Sequence, residues 1–179
     1  MTELMNMRRL LLTLPIAVLV AAVLAGQAGS VSQTVESYQI RNQKFGQLLR
    51  PEDASSADGT RLVLYPAQMW KCMTWKRLPA GSSTFALQNH LTSKTFSAQG
   101  DGQQVSVLQI PVAANASARQ TWRFVKLQDS TYQIIDTGSG KALTAVASGS
   151  STIVVVAPWQ DKPEQHWELI LTDPRKLTM

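Results

Sequence analysis

Residues 132–167 read YQIIDTGSGKALTAVASGSSTIVVVAPWQDKPEQHW, and this stretch decides the fold because it is the last of three copies. Its opening Tyr132-Gln133-Ile134 recurs upstream as Phe85-Ala86-Leu87 and as Tyr38-Gln39-Ile40, at steps of 47 residues. Asp136, Asn89 and Asn42 keep that step, as do Gly140, Ser93 and Gly46, and the apolar set Leu143, Phe96 and Leu49. The closing tryptophans Trp75, Trp122 and Trp167 are spaced by 47 and 45, so the third copy is two residues shorter in a loop. A fixed period of this length marks a repeat architecture and outranks any local propensity.

Each copy divides internally in the same way. A short aromatic or aliphatic strand runs into a turn built on Asn or Asp, and a second strand follows. Polar loops (Ser55–Gly59, Gly100–Gln103, Ser148–Ser150) lead to β-branched third strands at Arg61–Tyr65, Val105–Ile110 and Thr152–Ala157. These end at Pro66, Pro111 and Pro158, and a fourth strand carries the tryptophan. Four strands three times over give an all-β chain of twelve short strands. The compact arrangement is a six-stranded barrel capped by three hairpins, the β-trefoil. Three blades are too few for a propeller, and a solenoid would need a polar capping repeat. Trp75, Trp122 and Trp167 are expected in the core, each burying about 150–250 Å².

The first 30 residues are of another kind. Arg8-Arg9 precede an apolar run from Leu10 to Ala25, followed by Gly26, Ala28, Gly29 and Ser30. This order reads as a signal peptide cleaved after Ala28 or Ala25. The competing reading, a retained anchor, needs about 20 apolar residues, and this run is shorter and interrupted by Pro15. The expected organisation is a signal peptide at 1–28, a linker at 29–36, repeats at 37–82, 83–129 and 130–173, and a tail at 174–179. Localisation is then secreted or periplasmic, without stable membrane insertion after cleavage.

The 179 residues are 44% hydrophobic and 16% charged, with formal charge +5, the balance of a globular domain. The basic residues are scattered singly rather than gathered on a stripe with aromatic platforms, which argues against a nucleic-acid partner. Cys72 is the only cysteine, so no internal disulfide braces the fold. His90 and His166 are the only histidines and stand at no metal-ligand spacing. No nucleophile sits in a motif with mechanical meaning, so neither an enzyme nor a cofactor is expected.

The tryptophans carry a family resemblance. Gln120-Thr121-Trp122 and Gln165-His166-Trp167 are Q-x-W motifs, and Met73-Thr74-Trp75 occupies the same point of the first copy. Gly140-Lys141-Ala142-Leu143 resembles the G-K-x-L step before strand two of ricin-type lectin repeats, and residues 36–172 resemble that family throughout. The resemblance implies a sugar site in each repeat: an aspartate after G-K-x-L, an aromatic ring ending strand three, and an Asn-Gln pair before the tryptophan. Here the aspartate position holds Arg50, Ser97 and Thr144; the aromatic position holds Tyr65, Ile110 and Ala157. The polar pair reads Cys72-Met73, Arg119-Gln120 and Glu164-Gln165. No repeat keeps the full set, so galactose-type pockets are expected to be degenerate.

Two other groupings are candidates for carbohydrate binding, with Gln165 as the retained member of the polar pair. Tyr65 and Trp70, with Arg50 and Asp53 nearby, would suit an acidic sugar, since Arg pairs bidentately with carboxylates; otherwise Trp70 covers the barrel end and Arg50 is solvated. Trp159 and Asp161 share a Pro-flanked loop and are either sugar contacts or a clasp over the core. The leading expectation is a lectin-like module for glycans, including acidic ones. The alternative is a protein-interaction trefoil, similar to the binding subunits of cytolethal distending toxins, acting with a partner subunit.

Overall fold

The computed structural model describes residues 35–114 and 118–179. The expected signal peptide and most of the linker lie outside the described residues. Twelve strands are present and, among the described residues, no α-helix. They are β1 (Ser37–Asn42), β2 (Leu48–Pro51), β3 (Leu62–Tyr65) and β4 (Thr74–Pro79) in the first repeat. The second repeat holds β5 (Thr84–Asn89), β6 (Thr95–Gln99), β7 (Val105–Ile110) and β8 (Trp122–Lys126). The third holds β9 (Tyr132–Asp136), β10 (Ala142–Ser148), β11 (Ser151–Ala157) and β12 (Trp167–Leu171).

First and fourth strands of the repeats form a closed antiparallel ring: β1 with β4, β4 with β5, β5 with β8, β8 with β9, β9 with β12, and β12 back to β1. Closure leaves no free barrel edge. Second and third strands form the hairpins β2–β3, β6–β7 and β10–β11, and β11 pairs with both β3 and β7 to join them into a cap. This is the β-trefoil.

The conserved step of the sequence is a conserved turn. Asn42 Oδ1 accepts from the N–H of Lys44 (3.2 Å) and Phe45 (3.4 Å), and Asn89 Oδ1 from those of Leu91 (3.0 Å) and Thr92 (3.2 Å). Asp136 Oδ2 accepts from the Ser139 N–H (2.9 Å) and hydroxyl (2.6 Å). The chain then passes through left-handed backbone at Gly46 (φ 64°), Ser93 (φ 57°) and Gly140 (φ 71°), where glycine is free of the Cβ clash that Ser93 tolerates.

Trp75, Trp122 and Trp167 are fully buried, packed with Leu49, Phe96, Leu143 and the strand-one residues Ile40, Leu87 and Ile134. The Trp75 indole N–H donates to Leu49 O (3.1 Å) and that of Trp167 to Leu143 O (2.9 Å). In the second repeat the equivalent residue is Phe96. Its ring lies 5.0 Å from Trp75 and 4.9 Å from Trp122, and the Trp122 indole N–H has no partner.

Two features differ from expectation. A single 3₁₀ turn precedes each tryptophan strand, at Lys71–Met73, Ala118–Gln120 and Pro163–Gln165. The tail also folds back: Pro174–Lys176 form a 3₁₀ turn, and Thr178 bridges to Trp70. Its N–H donates to Met69 O (2.8 Å), and Lys71 N–H donates to Thr178 O (3.0 Å).

Candidate functional site

The 3₁₀ turn Pro163–Gln165 brings the side chains of the third repeat's polar pair to the edge of the barrel. Glu164 and Gln165, with Thr144 on β10 and Ala157 at the end of β11, line a cleft of about 500 Å³ completed by Lys44 and Phe45 from the first repeat's turn. The three positions that the ricin-type resemblance assigns to a sugar therefore converge on one concavity.

Its chemistry differs from the expected pattern. Gln165 is buried, and its amide is fully engaged within the protein. Its Nε2 donates to Thr144 Oγ1 (3.0 Å) and Pro158 O (2.9 Å), and its Oε1 accepts from Gln160 N–H (2.7 Å). It holds the Pro158 loop in place, as Gln120 does for Pro111 O (3.1 Å) and Ala113 N–H (3.0 Å). The Thr144 hydroxyl donates to Ala142 O (2.8 Å). The charged groups of the lining are Lys44, Lys162 and Glu164, with Glu164 and Lys44 paired at 2.5 Å. The lysine contact holds the Glu164 carboxyl below its ordinary pKa, so it is an ionised acceptor.

A threefold-related cleft of about 230 Å³ lies at the second repeat, lined by Asp101, Arg119, Asp136, Ser139 and Lys141. It has no aromatic wall. At the corresponding place in the first repeat, the loop 55–60 closes in: Lys94 bonds Ser56 O and pairs with Asp58, and Gln109 Nε2 donates to Ser55 O (3.0 Å) and Ala57 O (3.1 Å).

The first-repeat candidates lie just beyond that loop. Arg50 on β2 faces Val63 on β3, so Tyr65 is its diagonal neighbour on the same face. The guanidinium carbon sits 3.8 Å from the Tyr65 ring centroid, and Trp70 lies 6.0 Å from Tyr65 at a 31° tilt. Trp70 packs on Leu48, Cys72 and Met73, so it does cover the barrel end. Arg50, however, is only 9% exposed and is not solvated. The ring of Tyr65 covers it. Asp53 is exposed, in left-handed backbone at φ 52°, and enters no ion pair, so the structure does not join it to Arg50.

Trp159 and Asp161 do not line the third-repeat cleft. The Trp159 ring stacks on His166 with centroids 5.5 Å apart and planes 10° apart. His166 Nε2 contacts Asp161 Oδ1 (2.9 Å) and Nδ1 contacts Asp129 Oδ2 (3.2 Å). Gln43 Nε2 also donates to Asp129 Oδ2 (3.1 Å). His166, Asp129 and Gln43 were absent from the sequence candidates. Their grouping follows from the meeting of three repeats, which no local pattern signals.

Among the described residues, no group of three or more His, Cys, Asp or Glu could hold a metal ion, and no helix is long and apolar enough to cross a membrane.

Comparison with known proteins agrees with the fold. Residues 118–178 match the family model described as ricin-type beta-trefoil lectin domain-like. No curated protein sequence matches significantly. Among solved structures, the designed threefold-symmetric protein ThreeFoil is similar with a TM-score of 0.70 and 22% identity, over 75% of this chain and 97% of that one. Cytolethal distending toxin from Actinobacillus actinomycetemcomitans gives 0.63 and 18%, over 75% and 90%. A Polyporus squamosus lectin, solved with a human-type influenza-binding epitope, gives 0.63 and 15%, over 76% of this chain and 49% of the lectin. The chain is therefore a β-trefoil protein, and over residues 118–178 it matches the ricin-type β-trefoil lectin-like family.

Proposed function

We propose that this chain is a non-enzymatic, carbohydrate-binding β-trefoil module whose best-formed sugar cleft is that of the third repeat. The observation that carries the proposal is the convergence of Thr144, Ala157 and Glu164-Gln165 on one cleft of about 500 Å³, inside the segment that matches the lectin-like family. The pocket is degenerate in detail. Thr144 stands where the family has an aspartate, so the ionised acceptor is Glu164, and the ring is Phe45, supplied by the neighbouring repeat rather than by the end of β11. Loss of a charged hydrogen bond costs about 1.5–3 kcal/mol, so binding should be weak per site. With one well-formed cleft per chain, strength would be recovered only by several chains on a multivalent surface.

Titration of the purified protein against a neutral glycan array, followed by calorimetry on the best hit, tests this. Glu164→Gln should weaken binding about tenfold or more, and Thr144→Asp, which restores a carboxylate acceptor, should strengthen it. Binding unchanged in both variants would remove the cleft from consideration. Loss of binding in Trp159→Ala with Tyr65→Ala, and not in Glu164→Gln, would move the site to those rings.

A second reading, a binding or carrier subunit of a multi-subunit toxin, is favoured by an apolar surface at the chain ends. Val35 (49% exposed), Met69 (43%) and Leu171 (69%) border one groove there. Absence of binding to any glycan, together with a partner encoded beside this chain, would select it. In either reading residues 1–28 direct export and are removed, leaving the module of residues 37–173 secreted or periplasmic. Sequencing the N-terminus of the mature chain checks that step.

A further inference from the structure

Among the described residues, Arg50 is a cation without a counter-ion. It is 91% buried by its 9% exposure, its Nε is buried with no hydrogen-bond partner, and it belongs to none of the ion pairs among the described residues. The neighbouring acid Glu52 is taken by Arg61 (2.7 Å). Cys72 lies beside it, and burial pushes the thiol pKa up against the pull of Arg50, so the thiol stays neutral and cancels no charge. Arginine cannot shed its proton. The Tyr65 ring compensates in part, since the face of an aromatic ring attracts a cation. Removing a charge from water without a partner costs more than such a contact returns. The balance is unfavourable until an anion arrives.

We infer that Arg50, beneath Tyr65 and Trp70, is an oxyanion site that takes the carboxylate or sulfate group of an acidic sugar. The division of labour follows from the side chains. The guanidinium offers N–H donors in a planar fork that matches an oxyanion. Tyr65, 38% exposed, and the half-buried Trp70 at 6.0 Å from it offer apolar faces against which a sugar ring packs. The equivalent positions of the other repeats, Ser97 and Thr144, are neutral, so the site is confined to the first repeat. The inference rests on the carbohydrate-binding reading only in taking the anion to be carried by a sugar; the anion site itself stands apart from the third-repeat cleft.

Heteronuclear NMR of the full chain decides it. The Arg50 Nε–H and Trp70 indole N–H signals are followed during titration with sodium glucuronate, sodium sulfate and, as a neutral control, galactose, at constant ionic strength. Glucuronate, sulfate or both should shift the two signals saturably, and galactose should not. A response to one anion alone identifies which oxyanion is taken. Arg50→Met should lose about tenfold or more in affinity, and should fold at least as stably, because it removes an unpaired buried charge. Tyr65→Ala should retain the free sulfate response and weaken glucuronate. No shift with either anion, an equal shift with galactose, or full anion affinity in Arg50→Met would each overturn the inference. If Arg50→Met does not fold, the wild-type titration alone decides. Failure of neutral glycans to bind the third-repeat cleft would leave this result untouched, so the two proposals fail separately.

Discussion

Asp136→Asn should stabilise the protein, and the repeat itself supplies the control. At the two equivalent positions the side chain is an amide. Asn42 Nδ2 donates to Glu164 O (3.0 Å) and Asn89 Nδ2 donates to Cys72 O (2.9 Å). Each ties the turn after strand one to the 3₁₀ turn before a tryptophan strand. Asp136 is as buried, at 1% exposure, but its Oδ1 has no partner. Replacing that oxygen with an NH₂ group leaves Oδ2's role toward Ser139 to the amide oxygen and adds the missing donor. A made hydrogen bond contributes about 0.5–1.5 kcal/mol, and an unpaired buried acceptor costs about 1–3 kcal/mol. After allowance for imperfect geometry the gain should be about 2 kcal/mol, a rise in Tm of about 4–6 °C for a domain of this size. Urea unfolding followed by tryptophan fluorescence should show a higher midpoint at unchanged slope. The reverse change, Asn89→Asp, should lower the midpoint by a similar or larger amount. A midpoint that falls in Asp136→Asn, or stays put in Asn89→Asp, would refute the reasoning.

Three further outcomes are expected. Trp122→Phe should cost about 1 kcal/mol less than Trp75→Phe or Trp167→Phe in the same urea experiment, because only the latter two indoles donate a hydrogen bond. Gln165→Ala should destabilise by about 2–4 kcal/mol and exceed Gln120→Ala, since it breaks three side-chain hydrogen bonds against two. The Thr131 hydroxyl and N–H, with help from His166, hold the Asp129 carboxyl below its ordinary pKa of 3.8. Its stabilising effect is thus complete above that value and fades as pH falls below it. The stability difference between wild type and Asp129→Asn should shrink on acidification below about pH 4; a difference constant with pH would contradict this.

The barrel and its threefold plan were legible because they are written in spacing. A 47-residue step carries the turn former, the left-handed residue and the apolar anchor together, and those are the residues that fix local geometry. The site was less legible, for physical reasons that differ by residue. Gln165 reads as a sugar ligand from its motif, yet its amide is spent on the Pro158 loop, a contact decided by how that loop returns. Arg50 reads as a solvated lysine-like charge unless strand register is known. Only the pairing of Arg50 with Val63 puts Tyr65 on the same face and lays its ring over the guanidinium. Trp159 and Asp161 both contact His166, and His166 meets Asp129 of the second repeat only when the barrel closes. Three-residue 3₁₀ turns carry no periodicity and left no trace.

That closure has a kinetic side. The first strand pairs with the last, Tyr38 opposite Leu171 through Asn42 opposite Trp167, so the barrel cannot shut until the whole chain is available. Such a topology folds late and slowly, through contacts of high sequence separation. It also makes the position of the chain ends nearly arbitrary. Joining residues near 35 and 179 and opening the exposed bend at Ala80-Gly81, between β4 and β5, should give a circular permutant with the same native state. Such a chain would begin with the second repeat's strands and would form the β1–β12 seam within a short hairpin instead of across the full length of the protein.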